Sequence, residues 1–444
     1  MEAFDYKKTA WYKKRTSAQD NGFLKKSPRK FWIFILALFL AFFSYLFLTS
    51  PFTPDLRLLF YQPSSRIETG TRPGEWTTYA RTPDHQRFLD RNVSFKGEVR
   101  WSLAQSELVD SSPVVVEGVL YVGDHFKVMA LNVSDGKVLW TYPTTGPVNS
   151  SPAVAGDLLF LGLLDGRVLG LNRHSGKLQW EFKTGNFIIG SPTVVDGLLY
   201  IGSADRYLYA LDARLGTLAW KEPAAGKMIQ APAVRDTIVY AASDANKLYS
   251  LSGRTGARRL EFFLTGTMID SPVVSPTIVY AVTLDGRLIA LKHKARQYPW
   301  SHGLKIAWIQ LWMLGFPVPT PSLQPGTLWG IFPKERKGKF VSSPAVADDR
   351  LFVGDNRGRF YALDAHKGTF LWELELGEGV ATAPLVLGDT VYFGTKTGIL
   401  YGVSRRDGSL QWKFPLGSPI KGDLVYAADR LLVRTSDGTL QAIE

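Results

Sequence analysis

The stretch SPTVVDGLLYIGSADRYLYALDARLGTLAW, Ser191 to Trp220, contains the grammar of the whole chain. Ser191-Pro192 opens it, the apolar run Thr193 to Val195 ends at Asp196-Gly197, and a second run, Leu198 to Ile201, is closed by Gly202. Asp205-Arg206 then leads into alternating Tyr207 to Leu211, and Gly216 comes four residues before Trp220. Four short β-branched or aromatic runs separated by Gly, Asp and Pro have the spacing of antiparallel hairpins. A helical repeat would show apolar residues at i, i+3, i+4 and i+7, and these runs do not.

Moving outward, the slot of Trp220 recurs as a ladder: Trp101, Trp140, Trp180, Trp220, Leu260, Trp300, Trp372 and Trp412, in steps of 39, 40, 40, 40, 40, 72 and 40 residues. A fixed period of about 40 residues marks a repeat architecture. Prolines open the units at Pro113, Pro152, Pro192, Pro232, Pro272, Pro344 and Pro384, and Asp423-Leu424 holds the same register in the last copy. Proline suits the first residue of a strand, because it cannot donate further into a sheet. Glycine stands four residues before seven of the eight rungs (Gly97, Gly136, Gly176, Gly216, Gly256, Gly368, Gly408), which predicts a tight turn of positive φ. The ring that follows each turn is expected to pack between neighbouring units, burying roughly 150–250 Å². Seven complete copies run from Pro113 to Trp412, and the tail from Ile420 to Glu444 supplies three strands of an eighth. Its fourth strand is available at the front, in Gly97 to Trp101, and pairing the two chain ends closes a ring. The fold predicted is an all-β, eight-bladed β-propeller.

The segments Ala210 to Trp220, Ala362 to Trp372, Ala130 to Trp140 and Gly170 to Trp180 resemble the tryptophan-docking motif of quinoprotein (PQQ-like) repeats. Glu75 to Arg81 resembles the stretch that precedes the first such repeat. The resemblance covers residues 75–444 apart from one insertion, and it implies a fold more than an activity. Quinoprotein dehydrogenases hold their quinone in the central funnel, with calcium or a lanthanide, a catalytic Asp, and acidic and Asn ligands. There the cofactor stacks between a Trp and a ring closed by adjacent cysteines. This chain has no cysteine, its first four blades carry no long insertions, and no catalytic, cofactor-binding or metal-binding residue can be carried over.

Residues 31–48 are 18 consecutive uncharged, almost wholly apolar residues, about enough to span a ~30 Å hydrocarbon layer. The run is longer than the apolar core of a cleaved signal peptide, and Thr49-Ser50-Pro51-Phe52 offers no small-residue cleavage site. A retained single-pass transmembrane signal-anchor is expected. Residues 1–30 carry nine Lys/Arg against Glu2, Asp5 and Asp20, which holds the N-terminus in the cytoplasm and sends the propeller across a bacterial inner membrane. The domain reading is a basic tail at 1–30, an anchor at 31–50, a linker and lead-in segment at 51–95, and the propeller at 96–444. Absence of cysteine excludes Cys-based metal sites and catalysis. The net charge of +12 concentrates in residues 1–30 (+6) and 292–340 (+7), leaving the rest near neutral, so a nucleic-acid partner is not expected. The six histidines show no metal-ligand spacing, and no phosphate-binding loop is present.

The 72-residue step predicts an insertion after the fifth blade, at about 301–340. It contains a dense apolar stretch with Trp308 and Trp312 one helical turn apart, a proline-rich segment from Pro317 to Pro325, and basic residues including Arg296, Lys305, Lys334, Arg336 and Lys337. It either covers the propeller rim or contacts a partner or a membrane. The function expected is a non-enzymatic interaction scaffold without cofactor or metal, similar to the BamB-type propellers of outer-membrane protein assembly, working with another envelope protein. The alternatives are a PQQ-dependent dehydrogenase and a ligand- or carbohydrate-binding sensor.

Overall fold

The turn chemistry read from the sequence is realised residue by residue in a computed structural model that describes residues 28–48, 55–67, 75–104, 111–297, 308–318, 324–333 and 338–444. Asp196 and Gly197 both have positive φ, +50° and +79°, the mirror-image turn whose twist matches the strands it joins. It links Thr193–Val195 to Leu198–Gly202, which pairs with Tyr207–Asp212, which pairs with Leu218–Pro223. Eight sheets of this kind form the propeller. Blades 1 to 7 begin at Val114, Ala153, Thr193, Ala233, Val273, Ala345 and Leu385. Blade 8 joins the two ends of the propeller sequence: Val99–Ala104 pairs with Thr439–Ile443, beside Arg430–Arg434 and Val425–Ala427. Gly97 N–H donates to Glu444 O at 2.9 Å and Glu444 N–H to Glu98 O at 2.9 Å. The ring is therefore closed by hydrogen bonds rather than by a covalent link.

Five ladder tryptophans latch their blade to the next one through the indole N–H. The Trp180 indole N–H donates to Ala213 O at 3.1 Å, and Trp101, Trp140, Trp220 and Trp372 do the same to the carbonyls of Val133, Arg173, Gly253 and Arg405. The ring lies flat on the following blade's glycine turn: a Cβ added to Gly216 (φ +70°) would come within 2.5 Å of Trp180. Glycine at that position thus serves both the turn and the ring that covers it.

The sixth rung differs from the sequence reading. Trp300 lies outside the described residues, and Trp329 occupies the slot: it pairs with Ala290, stands 6.1 Å from the Tyr280 ring, and covers Gly368. The fourth strand of blade 5 is Thr327–Ile331, paired with the third, Leu288–Lys292. The insertion therefore falls within blade 5, between its third and fourth strands, and not after the blade at 301–340. It also caps the outer edge of blade 4. Gln297 N–H donates to Arg259 O at 2.6 Å, and the Gln324 amide makes two bonds to the Phe263 backbone, at 2.7 and 2.8 Å. This covers backbone groups that an edge strand leaves unpaired.

One end of the ring carries the turns between first and second and between third and fourth strands. Across that end lies a strap at the start of the propeller unit. Leu58 and Tyr61 pack against the core shared by blades 3 and 4. Ser64 donates to Asp212 through its backbone N–H and hydroxyl, at 2.7 and 2.8 Å, and Arg254 reaches Tyr61 O at 3.3 Å. The chain divides into two compact units, Met1–Thr53 and Pro54–Glu444. The first contains helix α1, Pro28–Leu48, opened by a proline where a missing N–H costs nothing. Among the described residues no helix is long and apolar enough to cross a membrane. The side chains of residues 28–31, Phe43 and residues 46–48 of α1 lie outside the described set, as does the basic tail up to residue 27.

Removing one latch tests this packing. Trp220→Ala deletes a ring 5% exposed and strips the Gly253 carbonyl of its donor. The expected loss is about 3–5 kcal/mol, read as a lowered thermal midpoint with the blade-strand circular dichroism otherwise unchanged below it.

Candidate functional site

The central channel is lined by the residues that precede each first strand, because every blade presents the same register to the axis. The position directly before the conserved proline slot is Ser112, Ser151, Ser191, Ala231, Ser271, Ser343, Ala383 and Asp423. Neighbouring members are tied together: Ser112 N–H donates to Ser151 Oγ, Ser151 N–H to Ser191 Oγ, and Ala231 N–H to Ser271 Oγ, at 2.9, 2.9 and 3.0 Å. Two residues further towards the mouth stand Asn149, Ile189, Ile229, Ile269, Val341 and Ala381. Together these enclose a cavity of about 320 Å³ with Tyr79, Asp270 and Asp423 in its lining.

The other end of the channel is filled by residues 76–89. This segment curls round the axis and touches all eight blades. Trp76 exchanges two backbone bonds with Val115, at 2.8 Å each, and Thr77, Pro83, Asp84, Gln86 and Arg87 carbonyls accept from Val154, Val234, Val274, Val346 and Val386. Thr78 Oγ1 donates to Pro192 O at 3.4 Å, and Phe88-Leu89 pairs in parallel with Val386-Leu387. The tight path needs left-handed backbone at Ala80, Arg81, His85 and Arg87 (φ +54°, +75°, +62° and +54°). Such residues persist only where the surroundings over-determine them.

Arg87 is the pivot. It is 1% exposed, bonds Asp423 at 2.7 Å, Tyr79 Oη at 2.8 Å and Ser343 Oγ at 2.5 Å, and lies 3.8 Å from Asp270. Tyr79 Oη donates to Asp270 at 2.6 Å, and Ser343 adds its hydroxyl and N–H, at 2.5 and 3.1 Å. Burial alone pushes the Asp270 carboxyl up; Arg87 first, then the donors Ser343, Tyr79 and Ser271 N–H, pull it below the usual carboxylate range. Burial lowers Arg87, but the charges of Asp423, Tyr79 and Asp270 hold its proton more tightly than usual. The Tyr79 hydroxyl is pushed well up, by burial and then by Asp270 and Asp423. Beside them His85 is fully buried and titrates at about 4, because burial and then Arg87 oppose its charge. Its Nδ1 donates to Pro272 O at 3.0 Å. The floor of the cavity is thus two carboxyl groups held over one buried guanidinium.

Of the described residues singled out from the insertion, Trp308, Trp312 and Arg296, none lines this cavity. Trp308 and Trp312 sit on a short helix, 308–313, at 44% and 47% exposure. Arg296 follows the third strand of blade 5, close enough to Arg259 to lower its pKa, a shift led by burial. Lys305, Lys334, Arg336 and Lys337 lie outside the described residues. The basic set read as one patch is divided by the chain path. Arg296 and Lys305 precede the fourth strand of blade 5, whereas Lys334, Arg336 and Lys337 follow it, in the connection to blade 6. Sequence reasoning passed over the channel floor. Its signal was present, since Asp270 and Asp423 interrupt positions that other copies fill with Ser, Thr, Gly, Gln or Ala.

A family model described as outer membrane protein assembly factor BamB matches residues 89–186, 165–237, 187–258, 228–306, 310–414 and 388–444. The chain belongs to that family. Solved structures agree on the BamB-type fold: BamB from Moraxella catarrhalis aligns over 78% of this chain and 97% of its own (TM-score 0.61, 15% identity). A europium-containing methanol dehydrogenase aligns over 82% and 90% (TM-score 0.63, 15% identity). Among curated proteins, quinohemoprotein alcohol dehydrogenase ADH-IIG of Pseudomonas putida is 32% identical over 122 residues, covering 23% of this chain and 17% of its own. The 1-butanol dehydrogenase (cytochrome c) of Thauera butanivorans is 36% identical over 115 residues, covering 21% and 16%. The chain spans about a sixth of the length of these curated relatives. The expectation of a non-enzymatic protein is overturned by them, since proteins similar to this BamB-type propeller are named as dehydrogenases.

The residues of this channel do not fit pyrroloquinoline quinone. A flat tricyclic tricarboxylate needs a planar face to stack on and cations or a metal for its carboxylates. No Trp lines the cavity, its acidic wall residues are Asp270 and Asp423, and the Arg87 beneath is committed to them. Among the described residues no group of three His, Cys, Asp or Glu side chains could hold a metal ion.

Acid should loosen the propeller through His85. An unfolded His titrates near 6.5 and the folded one at about 4, so the unfolded state takes the proton first and stability falls between those values, by about 3 kcal/mol. Denaturant midpoints measured from pH 7 to 4 should fall less steeply in His85→Gln than in the natural protein. A second substitution, Arg87→Met, leaves Asp270 and Asp423 buried without their counter-charge and should cost about 3–5 kcal/mol at pH 7.

Proposed function

We propose that the protein is an envelope propeller, tethered to a bacterial inner membrane by α1, which binds a small hydroxylated ligand in its central channel. The observation that carries this reading is the one-ended cavity of about 320 Å³, stopped at one end by residues 76–89. Its wall offers hydroxyls of Ser112, Ser151, Ser191, Ser271 and Ser342, and the amides of Asn149 and Gln230. Hydroxyls both donate and accept, which suits a polyol or sugar better than a polyanion. Asp270 and Asp423 add acceptors on the floor and disfavour an anionic ligand. The tether is supported by the apolar run of residues 31–48 and the nine Lys/Arg before it, a charge bias that favours a cytoplasmic N-terminus and a periplasmic propeller.

The similarity to quinoprotein dehydrogenases favours a second reading, in which the same channel serves redox chemistry on an alcohol. The family's description as an assembly factor supports an envelope protein as a further partner. One experiment separates the two channel readings. Native mass spectrometry of the detergent-solubilised full chain should show a small non-covalent ligand, lost in Ile189→Trp, which narrows the mouth, with no change in thermal midpoint. Stoichiometric uptake of added PQQ with calcium, absent in Ile189→Trp, would replace the ligand reading by the quinoprotein one.

A further inference from the structure

Among the described residues of the propeller unit, the insertion in blade 5 is the element that exposes a run of large apolar side chains. Leu311, Met313, Leu314 and Phe316 are 41%, 75%, 74% and 53% exposed, alongside Trp308 and Trp312 at 44% and 47%. Their arrangement is fixed by the backbone. Helix 308–313 is closed by bonds from Leu314 N–H to Gln310 O (3.0 Å) and Phe316 N–H to Leu311 O (3.1 Å), with Gly315 at φ +81°. The stretch around it is basic and free of acids. Between Arg287 and Lys334 the sequence has Lys292, Lys294, Arg296 and Lys305 and no Asp or Glu. Lys294 contacts Asp236 at 2.6 Å and is still 58% exposed.

Topology adds the direction. The insertion leaves blade 5 between third and fourth strands, and so from the end of the ring that carries those turns. The strap of residues 55–67, through which the chain arrives from α1, crosses the same end at the turns of blades 3 and 4. The cavity opens at the opposite end. An exposed apolar cluster with Trp, flanked by cations, has the composition of an interfacial element on a charged bilayer. We propose that helix 308–313, together with Lys292, Lys294 and Arg296 at the root of the insertion, is a second membrane contact, seated on anionic lipid, which holds the strap end of the propeller against the bilayer and turns the channel mouth away from it. This rests on the tethered reading above for its membrane, but the contact is a property of the propeller unit.

The test keeps the full chain. A protease site placed between Thr49 and Pro54 allows the tether to be cut after reconstitution into pure lipid vesicles. With phosphatidylglycerol in the vesicles, the cut propeller should stay bound and sediment with them, and about tenfold less should be retained on phosphatidylcholine alone. Trp308→Ser with Trp312→Ser should release it, as should Lys292→Glu with Arg296→Glu, both with an unchanged thermal midpoint. Full release of the unsubstituted propeller from anionic vesicles would overturn the proposal. So would equal retention of the variants, or retention on native membranes and not on pure lipid, which would assign the surface to a protein. Failure of the tether shows separately, as an uncut chain retained on phosphatidylcholine no better than the cut propeller.

Discussion

The structure depends on the hydrogen bonds that residues 76–89 make to the first strand of blade after blade. A propeller blade touches two neighbours, so the ring by itself is a chain of pairwise contacts closed at blade 8. The lead-in segment adds a hub to that ring. Its carbonyls accept from five different blades, Trp76 exchanges bonds with a sixth, and Thr78 and Arg87 reach the remaining two. Burial of a guanidinium is costly unless its donors are met, and Arg87 meets Asp423, Tyr79 and Ser343 at once. The hub closes the channel at one end, and its charged pivot becomes the floor of the cavity at the other. Architecture and site are therefore one feature.

The latches obey a second constraint, which links two irregularities that look independent in the sequence. A ladder tryptophan needs the next blade's glycine turn to lie on. Blade 5 has replaced that turn by its insertion, so blade 4 has no surface for an indole, and its rung is Leu260. Leu260 is 4% exposed, and Ala295 from the insertion packs on the same cluster. The weak rung and the broken step are thus one event. Gln297 and Gln324 then take over the task of joining the insertion to the outer strand of blade 4.

Much of the fold was legible because it is repeated. Positive φ at Asp196-Gly197, glycine under six of the rings, and the pairing of Val99–Ala104 with Thr439–Ile443 follow from patterns visible in several copies. What occurs once was harder to read. Trp300 satisfied the 40-residue step, yet Arg296 stands where the glycine four residues before it is expected; Trp329 has Pro325 at that position and Gly326 only three residues before it, so the glycine spacing did not mark the true rung either. The basic residues of 292–340 are near in sequence but are separated by a strand that carries the chain from one end of the blade to the other. The channel floor was missed because Arg87 comes from outside the repeats, while Asp270 and Asp423 are single departures within them. Motif comparison also led to the expectation of a non-enzymatic scaffold, which the similarity to named dehydrogenases corrects.

The two ends of the ring have different chemistry. One receives the strap and emits the apolar insertion; the other opens into a hydroxyl-lined cavity. Both assignments require that residues 76–89 be a fixed hub and not a loosely docked tail. Native-state hydrogen exchange measures this directly. The amides of Val154, Val234, Val274, Val346 and Val386, whose N–H groups donate to the hub, should exchange only with global unfolding, and the amides of residues 76 and 85, bonded to Val115 and Thr82, should exchange with them. If residues 76–89 exchange orders of magnitude faster while the blade strands stay protected, the hub is not what holds the ring or closes the channel.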